Sequence, residues 1–153
     1  SNETIARLRN EFANITAIKD ATGNVEAMSD LLSRCDIKVL SGDDTLTWPM
    51  MSLGAVGVIS VIANLRPAWM KALVTAGLAG DTDAALTNHR RVHDFASSIG
   101  RFGPNPLPIK TAMAIVGLIE EEFRLPLCPL DAEARTGIER VLRRHEMLEA
   151  VAA

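Results

Sequence analysis

The sequence contains no tyrosine, and aromatic residues make up only 4% of it. A platform for stacking the bases of a single-stranded nucleic acid is therefore not to be expected. Basic residues form no cluster and the formal net charge is −3, which argues against nucleic acid as a partner. Cysteine is scarce: Cys35 and Cys128 lie far apart, outside any Cys-x-x-Cys. That spacing fits two reduced thiols in a cytoplasmic protein better than a disulfide framework or a zinc site. No long apolar run exists. The most apolar window, Met51 to Leu65, carries Ser52, Gly54, Gly57, Ser60 and Asn64 and falls short of the ~20 residues of a membrane helix. Neither a membrane span nor a signal peptide is expected. The chain opens on Ser1-Asn2-Glu3-Thr4 without an initiator methionine, as a piece cut from something longer would. Gly-x-Gly-x-x-Gly, a P-loop and Gly-x-Ser-x-Gly are also missing.

What is present is an apolar fraction of 48% in 153 residues, enough for the core of one domain or part of one. Ser1 or Asn2 can cap a helix through Ile5, Leu8 and Phe12. Ile15 to Lys19 is short and partly β-branched and predicts a strand. Thr22-Gly23-Asn24 is a turn, with Asn24 capping a helix to about Arg34. A second strand, Ile37 to Ser41, stops at Gly42-Asp43-Asp44, where Asp43 or Asp44 can cap a third helix through Leu53. Pro49 is tolerated only in that helix's first turn. Val56 to Val61, apolar on both faces, predicts a strand of a parallel sheet covered by helices. After Asn64 or Leu65 a helix with Pro67 near its start runs to Gly80.

The first half thus repeats strand–helix three times, the rhythm of βαβ units. The second half carries helices only. One starts at Asp81 or Thr82 and runs to about Ile99; one spans Ile109 to about Glu122; a last one, capped by Asp131, runs toward the terminus. Gly100 to Pro108 and Leu125 to Pro129 are proline-rich connections. Three parallel strands alone would leave both sheet edges unpaired. The expected fold class is therefore α/β: the last three βα units of a partial (β/α)8 TIM barrel in residues 1–80, then a C-terminal helical domain in 81–153. A three-layer α/β sandwich is the alternative.

In such barrels the active face lies at the C-terminal strand ends. The first of these ends on Lys19, on the parity of Ile15 and Ala17, which would face the barrel interior. A lysine there either reaches water or does chemistry. Desolvation lowers its pKa and frees the amine to form a Schiff base with a carbonyl. Gly42 would let a ligand approach the backbone, and the peptide groups around Ile59 could meet a small carboxylate. Asp43 and Asp44 read as helix caps or as a polar wall at the site mouth. His89 and His93 stand four apart on a helix, but no third ligand accompanies them; a solvated helix face is expected and no metal site.

Ile18-Lys19-Asp20-Ala21-Thr22-Gly23-Asn24, Leu40-Ser41-Gly42-Asp43-Asp44 and Gly57-Val58-Ile59-Ser60-Val61 resemble three successive motifs of the dihydrodipicolinate synthase (4-hydroxy-tetrahydrodipicolinate synthase) family. Pro104-Asn105-Pro106-Leu107-Pro108-Ile109-Lys110 and Arg124-Leu125-Pro126-Leu127 resemble the C-terminal helical region of the same family. The likeness covers essentially the whole chain, as the C-terminal half of such an enzyme. It implies a lyase of lysine (diaminopimelate) biosynthesis in which Lys19 forms the Schiff base with pyruvate, and the enamine attacks L-aspartate-4-semialdehyde. Gly42 and Ile59 match positions lining the pyruvate pocket. No cofactor is implied, and the family usually forms homotetramers. The family's proton relay of tyrosines and a threonine, its carboxylate-holding glycine–threonine motif and its arginine for the second substrate have no counterpart here. A fragment unlike the whole enzyme in these respects is not expected to be active alone. Two other readings remain: a Schiff-base aldolase or lyase of the same superfamily, of the N-acetylneuraminate lyase or sugar-acid aldolase type, and an inactive half-barrel serving as an interaction module.

Overall fold

A computed structural model describes residues 1–148. Three short strands form one parallel sheet in the order β1-β2-β3, with β1 at Ala17–Asp20, β2 at Lys38–Ser41 and β3 at Gly57–Val58. Helices α1 (Asn2–Glu11), α2 (Val25–Arg34) and α3 (Thr47–Ser52) accompany the strands; α4 (Pro67–Leu78), α5 (Thr82–Gly100), α6 (Leu107–Ile115) and α7 (Ala132–Arg144) follow. The caps explain most of the boundaries. Ser1, Asn24, Asp81 and Asp131 each accept a hydrogen bond from the amide three residues on, at the heads of α1, α2, α5 and α7. Pro67 and Pro108 lie in the first turns of α4 and α6, where a missing N–H costs nothing.

The register sorts the strand residues between two faces. Ile18 pairs with Val39 and Ser41 with Val58, and these point toward the helices. Val39 is wholly buried with Met28, Leu31, Met50 and Met51 of the helices beside it. A second cluster joins Met70 and Leu73 of α4 to Val92, Phe95 and Ile99 of α5, Ile109 and Ala112 of α6, and Ile138 and Leu142 of α7. Trp48 of α3 packs against both clusters. The opposite sheet face carries Ala17, Lys19, Lys38, Leu40 and Ile59. Of these only Leu40 is half-buried, and Gly57, its partner on the same face, is buried; the rest are exposed, so among the described residues most of this face is uncovered.

Four expected elements differ. The first strand begins at Ala17, because the Ile15 amide turns back to the Phe12 carbonyl. The third strand is two residues long: Ile59 still donates to the Ser41 carbonyl, but Val61 and Ile62 turn into a 3₁₀ turn at Ile62–Asn64. Its expected burial on both faces is not found either, since Val56 and Ile59 are exposed on this chain. The sixth helix starts at Leu107 and ends at Ile115, not at Glu122. Gly117 adopts φ +77°, and the amides of Gly117 and Leu118 return to the carbonyls of Ala114 and Met113 in a Schellman stop. The third helix is also divided, into a 3₁₀ turn at Asp44–Leu46 and α3.

Candidate active site

Lys19 is the third of the four residues of β1, and its side chain is exposed on the bare sheet face. The backbone just beyond it is fixed. Asp20 is buried; its Oδ1 accepts the Thr22 amide at 2.9 Å, and its carbonyl accepts the Gly42 amide at 2.7 Å. The loops leaving β1 and β2 are thereby held together at the C-terminal edge of the sheet.

Gly42 is placed where no side chain fits. A Cβ there would lie 2.5 Å from the Ala21 Cβ, 3.0 Å from the Ala21 Cα and 2.9 Å from the Lys19 Cε. The glycine therefore lets the lysine stem lie against the second strand's exit. Replacing Gly42 by alanine is expected to cost about 1–3 kcal/mol through overpacking against a backbone atom. It should also displace Lys19 and slow its capture of a carbonyl compound at least tenfold. Thermal melts and the rate of reductive trapping measure the two effects; an unchanged trapping rate would dissociate Gly42 from the lysine.

Lys19 and Ile59 line one cleft of about 440 Å³, together with Ser60, Asn64, Asn105 and Lys110. Ile59 is 49% exposed, so its side chain is available to a ligand. A second cleft of about 310 Å³ adjoins it, lined by Gly42, Asp43, Asp44 and Thr45; Val61, Asn105 and Ile109 border both. The structure thus brings Lys19, Gly42 and Ile59 together from three strand ends. Asp43 and Asp44 stand beside the second cleft; Asp43 is engaged within the chain, whereas Asp44 uses one oxygen there and its Oδ1 is buried without a hydrogen-bond partner among the described residues. Asp43 caps the 3₁₀ turn, accepting from the amide and hydroxyl of Thr45 at 3.0 and 2.9 Å. Asp44 is buried, and its Oδ2 accepts the amides of Val61 and Ile62 at 3.1 and 3.0 Å.

Sequence reasoning did not single out Ser60, Asn64, Asn105 or Lys110 as site residues. The signal for the last two was the Pro104-Asn105-Pro106 stretch, whose rigid backbone carries Asn105 to the border of both clefts and starts the helix that bears Lys110. The histidine pair lies elsewhere, on α5, with ring centroids 5.9 Å apart. Burial holds the His89 pKa below the ordinary imidazole range, and the charges of His93 and Arg90 add to that. Among the described residues no three His, Cys, Asp or Glu side chains gather as a metal site would need. Cys35 and Cys128 are free thiols. No helix among the described residues is long and apolar enough to cross a membrane.

Known proteins share both the sequence and the fold. The chain is 41% identical over 151 residues to a 4-hydroxy-tetrahydrodipicolinate synthase of Geobacter metallireducens, covering 95% of this chain and 50% of that protein. The crystal structure of dihydrodipicolinate synthase from Aquifex aeolicus superposes with a TM-score of 0.92 at 40% identity, over 96% of this chain and 50% of the other. A chloride-inhibited dihydrodipicolinate synthase from Acinetobacter baumannii, complexed with pyruvate, superposes with a TM-score of 0.85 at 36% identity, over 97% and 51%. The chain spans about half the length of the curated relatives it matches. A family model described as the dihydrodipicolinate synthetase family matches residues 1–145, and with a small parallel sheet whose exits gather a lysine, a glycine and an isoleucine, the chain belongs to that family.

Proposed function

We propose that this chain is the C-terminal portion of a 4-hydroxy-tetrahydrodipicolinate synthase, with Lys19 as its Schiff-base lysine. The observation that carries the reading is the convergence of Lys19 and Ile59 on one cleft, with the lysine stem lying against Gly42. The Lys19 amine adds to the keto carbon of pyruvate, and loss of water leaves an iminium. Removal of a methyl proton gives an enamine, whose terminal carbon attacks the aldehyde of L-aspartate-4-semialdehyde. The exposed side of Ile59 and the Cβ-free surface of Gly42 shape the pocket around the pyruvate carbons. The chemistry needs no metal or organic cofactor, since the iminium itself is the electron sink.

In this reading residues 1–80 are the last three βα units of a (β/α)8 barrel and 81–153 its helical domain, of which 149–153 lie outside the described residues. The bare sheet face would look into the barrel. Burial of Lys19, and the tyrosine-based proton relay that this sequence lacks, would come from the other half. The chain alone is therefore not expected to turn over. The whole enzyme would be a cytoplasmic homotetramer, as its family resemblance implies. A reading as an interaction module draws on the same bare face and open strand edges.

The test is reductive trapping. The full-length protein is incubated with pyruvate and borohydride, and the modified peptide is located by mass spectrometry. A reduced pyruvate adduct on Lys19 is expected. No adduct, or one on Lys38, Lys71 or Lys110, overturns the assignment.

A further inference from the structure

The cleft that holds Lys19 holds a second lysine. Lys110, in the first turns of α6, lines the same wall as Asn105 and Met113, and no aspartate or glutamate lines that cleft. Its position is built. The Lys110 ammonium donates to the Glu122 carbonyl and lies 4.9 Å from the centroid of the Phe123 ring. The neighbouring Thr111 is wholly buried and donates to Glu121 Oε1 at 2.8 Å, while the other oxygen of Glu121 pairs with Arg135 of α7. The acidic run Glu120-Glu121-Glu122 therefore has its middle carboxylate turned to Thr111 and Arg135, and the Lys110 charge is held by a backbone carbonyl and a ring. Neither neutralises it.

We propose that Lys110 is a positioning residue that keeps the Lys19 cleft positive and draws organic anions, above all 2-keto carboxylates, toward the Lys19 amine. This rests on the reading of Lys19 as the Schiff-base lysine. It is distinct from that reading because Lys110 makes no bond to the reacting atoms. A fixed charge beside a cleft walled by protein focuses the field and raises the capture rate of opposite charges, more at low ionic strength than at high. The limiting rate of iminium formation at saturation stays where Lys19 sets it.

The experiment uses the full-length protein with Lys110→Gln, Lys110→Met and Lys110→Arg. Glutamine keeps a donor for the Glu122 carbonyl and removes only the charge. At about 0.01 M salt both neutral variants are expected to lower the rate of borohydride trapping at low pyruvate about 5- to 10-fold. At about 1 M salt, where screening is nearly complete, the loss should fall below about twofold. The rate at saturating pyruvate should stay within about twofold, and Lys110→Arg should restore the low-salt rate. A loss equal at both salt concentrations, a loss confined to the saturated rate, or failure of arginine to rescue overturns the proposal. Binding of lactate, an anion that cannot form an imine, is measured by calorimetry in parallel. If no adduct forms on Lys19 in the unmodified protein, the Schiff-base reading fails. A salt-sensitive weakening of lactate binding in Lys110→Gln would still support the anion-drawing role, and equal lactate affinities would overturn it.

Discussion

Lys19→Arg in the full-length protein is expected to abolish the borohydride-trapped pyruvate adduct and to lower turnover at least about a thousandfold, or about 4 kcal/mol in the barrier. Arginine keeps the positive charge and a long apolar stem, so it separates charge from nucleophilicity. Its guanidinium remains protonated at all working pH values and cannot condense to an iminium. The fold should tolerate the exchange. Lys19 is exposed on this chain; in the full-length protein, where the other half would cover it, arginine keeps the charge and most of the stem, so the cost to stability is expected to stay at about 1 kcal/mol or less. A thermal melt within a few degrees of the parent, beside complete loss of adduct, is the expected pair of results. Retained trapping in this variant would remove Lys19 from the chemistry.

Asp44→Ala is expected to destabilise the fold by on the order of 3–5 kcal/mol. One carboxylate oxygen of this buried side chain receives two backbone amides, those of Val61 and Ile62. Alanine leaves both donors without an acceptor at the start of the 3₁₀ turn at Ile62–Asn64. Hydrogen bonds to charged groups are worth about 1.5–3 kcal/mol each, and a buried unpaired donor costs about 1–3 kcal/mol. For a chain of this size the melting temperature should fall by roughly 8–15 °C. Asp44→Asn retains an acceptor oxygen and should recover at least half of the loss. Because that turn immediately follows Ile59, Ser60 and Val61, the alanine variant should also loosen the floor of the Lys19 cleft. Equal melting of the alanine variant and the parent would show that these amides find other partners.

The strand–helix alternation was legible because it is local. Asn24 before Val25, Asp81 before Thr82 and Asp131 before Ala132 are short polar side chains preceding apolar periodicity, and each caps its helix. Where two caps stood side by side, the pattern left a choice that geometry then made: Ser1 over Asn2 and Asp43 over Asp44. The end of α6 at Ile115 is hidden in the sequence because Val116 and Leu118 continue the apolar rhythm through Gly117. The glycine's left-handed backbone outweighed the periodicity. The short third strand has a different cause. Its hydrogen bonding ends where Asp44, far back in the chain, captures the amides of Val61 and Ile62. The placement of Lys19 and Gly42 at strand exits was legible from the apolar runs before them. The role of Asp44 as a buried clamp was not, because its partners lie 17 and 18 residues away. Lys110 was still less visible, since it joins the Lys19 cleft only through packing of α6 across the sheet exits.

The bare face of the sheet has a colloidal consequence. Lys38 stands on β2 opposite Ala17, and Lys19 stands opposite Leu40, so both ammonium groups rise from the same side as the exposed Ile59. Two such faces brought together would confront like charge with like, which opposes the stacking of one sheet on another. The amine proposed as the Schiff-base nucleophile would thus act, while that face is open, as a guard against self-association.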